Sequence, residues 1–293
     1  MRNPTIDTAV IPPARRPRKP AATIGRGAVY ALMLLAVLVV GLPLYWMLIG
    51  SLKTLTEIRT FPPTWFPQEP RLANFTDAWN GAPFGRFYIN SLVTTLAGTA
   101  LEMLNAVFSA YALAFLRFPR KNLVFILLLA ALMVPTQVTI LPNYLTMARF
   151  DWVNSYQGIV LPGAAVAFGT FLLRQYFLGL PRDVIDAARV DGCTHLRLMW
   201  RVVVPMSWPA IVTFGLISLV SKWNEFLWPL VITNTLEMRT LPIGISYLLD
   251  SEGNTQWGTV MAGTIFVILP VLIVFLLAQR FIVGGITSGA TKG

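Results

Sequence analysis

Six long apolar segments, separated by short polar ones, limit the folds that this chain can adopt. A helix needs about 20 apolar residues to cross the hydrocarbon core of a membrane, and the segments reach or approach that length. Lipid offers no hydrogen-bond partners to the backbone, so a spanning segment must be helical or part of a closed barrel. The period-two alternation of barrel strands is absent from the sequence. The pattern therefore predicts an all-α polytopic membrane protein with six transmembrane helices, at roughly residues 27–50, 91–116, 123–141, 158–178, 203–232 and 259–278.

The composition agrees with a membrane protein and excludes several kinds of site. Only 12% of the residues are charged, about half the share found in soluble domains. The chain has one cysteine, Cys193, and one histidine, His195, so neither an internal disulfide nor a Cys/His metal cluster is expected. The net charge of +10 is spread along the segments that flank the spans, which does not favour binding to nucleic acid.

The distribution of basic residues predicts the orientation of the chain. Most of the 23 lysines and arginines lie in segments that share one side of the membrane, and the positive-inside rule places that side and both termini in the cytoplasm. The first apolar run is longer than the core of a cleavable signal peptide and is expected to be retained. The predicted domains are a basic, proline-rich cytoplasmic tail, a six-helix transmembrane domain and a cytoplasmic C-terminal tail, at residues 1–26, 27–281 and 282–293.

A polar stretch at residues 181–205 interrupts the apolar pattern between the fourth and fifth segments. Pro181 suits the first turn of a helix, and Gly192 suits the turn at its end. Thr194 suits the N-cap of a second helix, and Pro205 marks the bend of that helix into the next span. The stretch thus predicts two short helices joined by a glycine turn, either as a docking element for another protein or as a plain connection between spans.

Helical spacing predicts which side chains of this stretch lie together. In the first helix Ile185, Ala188 and Gly192 fall on one small, weakly apolar face. Arg182 and Asp186 can pair at i, i+4 on another face. In the second helix an apolar stripe is expected to point back to the membrane, and it consists of Leu196, Met199, Trp200 and Val203.

Polar and charged residues inside the predicted spans are candidates for a translocation pathway, because a charge in lipid is costly. Glu102 and Asn105 lie at i, i+3, and Gln137 follows a proline that can kink its span. Lys222 and Glu225 can also pair at i, i+3. The structural alternatives are hydrogen bonding between helices and an aromatic belt at the end of a span. The predicted pathway set is Glu102, Asn105, Gln137, Lys222, Asn224 and Glu225.

The polar stretch resembles the EAA loop of ABC importer permeases, which reads EAA, three residues, Gly, nine residues, Ile-x-Leu-Pro. Asp186-Ala187-Ala188 takes the EAA position, Gly192 has the family spacing, and Val202, Val204 and Pro205 close the motif. Other stretches, including KWNEFLWPLVIT and QRFIVGGITSGATKG, are similar to carbohydrate-type permeases of the maltose and glycerol-phosphate kind.

This resemblance implies a type I ABC importer permease, in which the loop is a coupling helix that docks on an ATP-binding subunit. The implied contact residues are Asp186, Ala187, Ala188, Asp191, Gly192 and Pro205. The implied partners are a second permease subunit, two ATP-binding subunits, an extracytoplasmic solute-binding protein and the lipid of the cytoplasmic membrane. ATP with Mg²⁺ is expected in the partner subunits, and no cofactor is expected in this chain.

The residues of the chain do not predict an enzyme. The nearest candidate for a phosphate-binding loop, GITSGATKG, has the wrong residue order and no preceding strand. An ion-coupled carrier would be expected to show inverted repeats, and the sequence shows no convincing internal repeat. A membrane enzyme would need a nucleophile, base or metal site at membrane depth, and the one histidine and one cysteine both lie in the polar stretch. Both alternatives therefore have less support. For the substrate, the resemblance implies a glycerol phosphate or glycerophosphodiester, with a di- or oligosaccharide as the alternative.

Overall fold

The computed structural model describes residues 21–249 and 254–290, with side chains for residues 27–249 and 254–279. Within these ranges all regular structure is helical, so the all-α class predicted from the sequence is confirmed. The chain divides into two units, one that ends at Met47 and one that begins at Leu48. The first unit contains most of helix α1 (Ala21–Gly50), and the remaining helices belong to the second.

The second unit is a succession of long and short helices. In chain order the α-helices are α2 (Leu55–Arg59), α3 (Ala73–Gly81), α4 (Phe84–Phe115), α5 (Lys121–Ala131), α6 (Thr136–Arg149), α7 (Tyr156–Val160), α8 (Ala167–Leu178), α9 (Arg182–Val190), α10 (His195–Leu198), α11 (Val204–Met206), α12 (Trp208–Trp223), α13 (Leu227–Ile232), α14 (Leu241–Gly244) and α15 (Trp257–Ala290). A π-helical turn covers Met199–Val203, and 3-10 turns cover Leu161–Gly163, Leu236–Met238 and Ile245–Leu248.

Three helices are long and apolar enough to cross a membrane by themselves. They are α1 over 24 residues, α4 over 32 residues and α15 over 23 residues. Three pairs pass the same test but are bent at a break, by 100° between α5 and α6, by 45° between α7 and α8, and by 81° where α10 and α11 meet α12. If each bent pair is one span, the described residues contain up to six spans, as the apolar pattern predicts.

Prolines account for two interruptions of the predicted spans, and the sequence predicts a kink at only one of them, at Pro135. The fifth span is predicted to be continuous over 203–232, but residues 224–226 separate α12 from α13. Pro229 has no amide hydrogen, and in a continuous helix its ring would clash with the carbonyl four residues earlier. The predicted third span, 123–141, is also divided, because Pro135 precedes α6 in an extended conformation.

Several helix ends lie outside the predicted segments. Helix α1 begins at Ala21, within the predicted N-terminal tail, and α4 begins at Phe84 rather than near residue 91. Helix α15 continues to Ala290, past the predicted boundary at residue 281. The apolar pattern marks the part of a helix that lipid surrounds, whereas backbone hydrogen bonding can continue beyond it.

Helix α4 packs along α8 and α12 in the centre of the second unit. The contact between α8 and α12 depends on Gly169, since a Cβ at this position would overlap the ring of Phe214. Small residues let helix backbones approach closely in membranes. Ile185 of α9 and Met199 belong to the same apolar core, so the core continues from the spans into the loop between them.

Gly169→Ala is expected to lower the stability of the purified protein by about 1–3 kcal/mol, because the added Cβ has no room beside Phe214. Gly85→Ala is the matched control, since its Cβ would make an ordinary contact of 3.7 Å with Trp79. Thermal unfolding in detergent measures both variants. Combining Gly169→Ala with Phe214→Leu is expected to restore part of the loss. Equal melting temperatures for the two alanine variants would contradict the packing role of Gly169.

Candidate functional site

Helix α9 is a short helix held by one apolar anchor. Ile185 is its only buried residue and packs in the core formed with α4 and α8, with Ala188 partly buried beside it. Asp186 and Ala187 are exposed. The helix therefore exposes Asp186 and Ala187 together with Arg182, Arg189 and Val190, while its opposite side is fixed to the spans.

Gly192 ends this element, as the sequence predicts. Its φ of 76° lies in the left-handed region, where residues with a Cβ are strained by about 1–2 kcal/mol. The amides of Gly192 and Cys193 donate to the carbonyls of Arg189 (3.0 Å) and Ala188 (3.1 Å). These hydrogen bonds close the helix and turn the chain toward α10, so one glycine sets the shape of the loop.

The ion pair in α9 differs from the predicted one. Asp186 Oδ1 lies 3.1 Å from Arg189 Nη1, and Asp186 is therefore paired within the last turn rather than with Arg182. Residues at i, i+3 and i, i+4 both neighbour each other on a helix surface. Spacing alone does not decide between the two arginines.

The apolar stripe predicted for the second helix is partly wrong. Met199 and Val203 are buried, but Leu196 and Trp200 are 64% and 46% exposed, and Leu198 is buried instead. The buried set of Leu198, Met199 and Val203 is offset around the helix from the predicted stripe. Trp200 instead meets the ring of Phe108 on α4 edge to face.

A hydrogen bond attaches the second half of the loop to α4. Tyr111 Oη and His195 Nδ1 are 3.1 Å apart, and their rings meet edge to face with centroids 6.2 Å apart. Tyr111 belongs to the same buried core as Ile185, so the loop is attached to α4 at two places. The two bonded residues are 84 positions apart, and no local pattern in the sequence signals their contact.

Two of the predicted pathway residues form a buried ion pair. Glu102 is 5% exposed and accepts a hydrogen bond of 2.8 Å from Ser218 Oγ. Its Oε2 lies 3.6 Å from Lys222 Nζ, which also donates to the carbonyl of Gly163 at 2.9 Å. Lys222 therefore lies within ion-pair distance of Glu102 rather than of Glu225, and its charge also acts on the Glu225 carboxylate.

Glu225 lies just after the end of α12 and lines a narrow cavity of about 10 Å³. Because the helix ends at Trp223, the i, i+3 relation to Lys222 no longer puts the two side chains on one helical face. The polar residues around the cavity are Glu225, Lys222, Ser91, Thr94 and Thr240. This cavity brings together the charges of Lys222 and Glu225 with hydroxyl groups from α4 and from the segment after α13.

The other predicted pathway residues lie elsewhere. Asn105 is exposed and accepts a hydrogen bond of 3.2 Å from Ser109. Gln137 is exposed in the first turn of α6, and Asn224 is exposed and donates to the carbonyl of Val220 at 2.9 Å. Of the six predicted residues, the structure thus brings together Glu102, Lys222 and Glu225.

Asn90 folds the segment after α13 back onto α4. Its side chain is fully buried, and its amide donates to the carbonyls of Glu237 (2.7 Å) and Arg239 (2.8 Å). The neighbouring residue Thr240 is held at the wall of the cavity as a result. Neither residue is predicted from the sequence, because a single asparagine or threonine in an apolar helix or loop is not a distinctive signal.

Residues 105–286 match the family described as binding-protein-dependent transport system inner membrane component. The chain belongs to this family. It is 37% identical to the arabinooligosaccharides transport system permease protein of Bacillus subtilis, over 86% of this chain and 90% of the relative. It is 35% identical to the sn-glycerol-3-phosphate transport system permease protein of Yersinia enterocolitica, over 88% of this chain and 95% of the relative.

Two further similarities agree with the family. The permease is 36% identical to the sulfoquinovosyl glycerol transport system permease protein of Agrobacterium fabrum, over 86% of this chain and 88% of the relative. A chain in the crystal structure of a bacterial ABC transporter for the acidic polysaccharide alginate has the same fold, with a TM-score of 0.79, 21% identity, and coverage of 91% of this chain and 99% of that one.

These comparisons confirm the carbohydrate-type ABC importer permease that the motifs predict. The protein is an inner-membrane, multi-pass permease component of a binding-protein-dependent transport system. Family membership decides against the ion-coupled carrier and the membrane enzyme, since the relatives are permease proteins.

Glu102→Gln and Lys222→Met are each expected to lower stability by about 3 kcal/mol, because each leaves a buried charge without its partner. The double variant is expected to recover much of this loss, since no unpaired charge remains. Thermal unfolding of the wild type, the two single variants and the double variant in detergent gives the coupling between the residues. Losses that simply add in the double variant would contradict the ion pair.

Proposed function

We propose that this permease pairs with a second permease subunit and two ATP-binding subunits, and that α9 couples ATP hydrolysis to movement of the spans. The observation that carries the proposal is the loop geometry, an exposed helix closed by left-handed Gly192 and fixed to the core by Ile185. A force on such a helix reaches the spans without first deforming a flexible linker. The proposed contact residues are Asp186, Ala187, Ala188, Asp191, Gly192 and Pro205.

A cavity beside α9 supports docking of another protein at this end of the molecule. It has a volume of about 470 Å³, lies at the junction of the end of α4 with α9 and α10, and is lined by Arg117, Arg189 and His195. Basic groups around an open cavity favour an acidic partner segment. ATP with Mg²⁺ then acts in the partner subunits, and this chain receives the resulting movement.

The proposed orientation puts both termini and α9 in the cytoplasm, as the positive-inside rule predicts. The opposite end of the spans, with the segment after α13, then faces an extracytoplasmic solute-binding protein. A bacterial alginate ABC transporter of similar fold, with a TM-score of 0.66, has been solved in complex with a periplasmic protein that holds an alginate pentasaccharide. That complex supports the expected partner.

We propose a hydroxyl-rich substrate of the glycerol or sugar class. The relatives are named for arabinooligosaccharides, sn-glycerol-3-phosphate and sulfoquinovosyl glycerol. Both substrate classes predicted from the sequence therefore remain candidates. They are a glycerol phosphate or glycerophosphodiester, and a di- or oligosaccharide. The test is ATP hydrolysis by the whole complex in lipid with its binding protein and each candidate ligand. Stimulation by one ligand class supports the importer and names the substrate, and absence of any ATP hydrolysis contradicts it.

Asp186→Lys is expected to reduce copurification of the ATP-binding subunits with this chain by about tenfold, because it reverses the charge of an exposed residue in the proposed contact. Asp77→Lys is the matched control. Asp77 is also exposed and also pairs with an arginine at 3.1 Å, namely Arg71, but it lies on α3, outside the proposed contact. Affinity purification through a tag on this chain, followed by quantification of the subunits, measures both. An equal loss in the two variants would argue against α9 as the docking helix.

A further inference from the structure

Helix α15 contains Pro270 in its interior, and another helix replaces the hydrogen bond that this proline removes. In a regular α-helix the amide of residue 270 would donate to the carbonyl of Phe266, but proline has no amide hydrogen. The hydroxyl of Tyr88, on α4, donates to this carbonyl instead. The helix continues through the proline, and the carbonyl that the proline leaves free is satisfied from outside.

A second side chain holds the neighbouring carbonyl. Trp223, at the end of α12, is 5% exposed, and its Nε1 donates to the carbonyl of Val267 at 2.9 Å. The rings of Tyr88 and Trp223 lie beside each other, with centroids 6.4 Å apart. Side chains of two helices thus hold α15 just before Pro270, and we call Tyr88 and Trp223 the clamp.

The two halves of α15 differ in how tightly they pack. Before Pro270, Ala262 and Val267 are buried, with exposed fractions of 0% and 7%. In the range 271–279, Ala278 is the one buried residue. The half before the proline is therefore fixed to the rest of the chain by packing and by the clamp, whereas the half after it has few contacts that would resist movement.

An apolar cavity lies beside the clamp, between the second half of α15 and its neighbours. Its volume is about 280 Å³, and its walls include Leu92 of α4, Leu219 of α12, and Val271 and Val274 of α15. Helices in membranes associate by direct packing of side chains, and the interior of a folded protein leaves few spaces larger than a water molecule. The second half of α15 therefore has room to move toward α4 and α12.

We propose that α15 bends at Pro270 during transport, so that its second half closes this cavity against α4 and α12 while the clamp keeps the first half in place. Helices bend at prolines because no backbone hydrogen bond has to break there. Tyr88 already satisfies the free carbonyl, so bending leaves no unpaired backbone group in the membrane. This inference rests on the proposed importer function, which requires the spans to change their arrangement.

Thermal unfolding of the full chain in detergent tests the clamp without the partner subunits. Tyr88→Phe is expected to lower the melting temperature by several degrees, because it leaves the carbonyl of Phe266 unpaired. In Pro270→Ala the new amide can donate to this carbonyl, so adding Tyr88→Phe is expected to cost little. Tyr247→Phe, at an exposed tyrosine, is the matched control and is expected to change neither background. Equal losses from Tyr88→Phe in both backgrounds overturn the clamp.

Pro270→Ala also tests the position of the bend. Alanine continues a helix better than proline, so the melting temperature is expected to stay the same or rise. ATP hydrolysis by the whole complex is expected to fall several-fold, because α15 no longer bends easily at this point. Pro43→Ala makes the same change inside α1 and is expected to hydrolyse ATP like the wild type. Equal hydrolysis by the two variants overturns the bend at Pro270.

A disulfide across the cavity tests the closing movement in the whole complex in lipid vesicles. Cys193, the one cysteine of the chain, is replaced by serine, and Leu92→Cys and Val274→Cys are introduced together. Two cysteines can join when their Cα atoms come within about 7 Å. The rate of disulfide formation is expected to differ several-fold between the complex without nucleotide and the complex trapped with ATP and orthovanadate. Equal rates, or no disulfide in either state, overturn the inference.

The same disulfide tests whether the movement is needed for the transport cycle. ATP hydrolysis is measured with the binding protein present and with maltose, an arabinooligosaccharide and glycerol-3-phosphate supplied together. Oxidation is expected to lower hydrolysis several-fold and dithiothreitol to restore it, whereas the single variants Leu92→Cys and Val274→Cys are expected to hydrolyse ATP under both conditions. Full hydrolysis by the cross-linked complex overturns the inference. Absence of hydrolysis before cross-linking would instead contradict the proposed function, and the unfolding test of the clamp does not depend on that result.

Discussion

Backbone groups inside a bilayer must find hydrogen-bond partners within the protein. Where a span is broken, backbone groups lose their partners in the helix and need other groups nearby. At the break between α7 and α8, the carbonyl of Gly163 accepts a hydrogen bond from the ammonium of Lys222. That buried charge needs a counter-charge, which Glu102 supplies, and Ser218 holds the carboxylate in place. One broken span thus accounts for three polar residues on two other helices, Lys222, Glu102 and Ser218, and the charge of Lys222 also acts on Glu225.

The sequence predicts the local features of this arrangement but not its long-range contacts. Hydrophobic runs locate the spans, and Gly192 alone predicts the turn that closes α9, because left-handed backbone geometry depends on a single residue. By contrast, 116 positions separate Ser218 from Glu102, and no period in the sequence tells which helices pack together. Spacing predicts Glu225 as the partner of Lys222, but α12 ends at Trp223, and the carboxylate within ion-pair distance is that of Glu102 on another helix.

The second helix of the loop shows another limit of periodic patterns. A 3.6-residue period places Leu196 and Trp200 on one face, and both are exposed there, whereas Leu198 is buried together with Met199 and Val203. The period gives the spacing of residues on a face, but which face meets the core depends on packing against other helices. The anchor at Ile185 depends on only one apolar residue of a short helix. An offset of a whole apolar face therefore affects it less.

Helix α4 connects the loop that contains α9 with the cavity beside Glu225. It contacts the loop through Tyr111 and contributes Thr94 to the cavity, and these residues are about 25 Å apart at a rise of 1.5 Å per residue. No break interrupts α4 between them, whereas α12 enters through a bend of 81° and ends beside Glu225. Changes of angle are absorbed at such breaks. We therefore expect a displacement of the loop to move α4 as one rigid helix, while the angle of α12 changes at the bend before it and at its end beside Glu225.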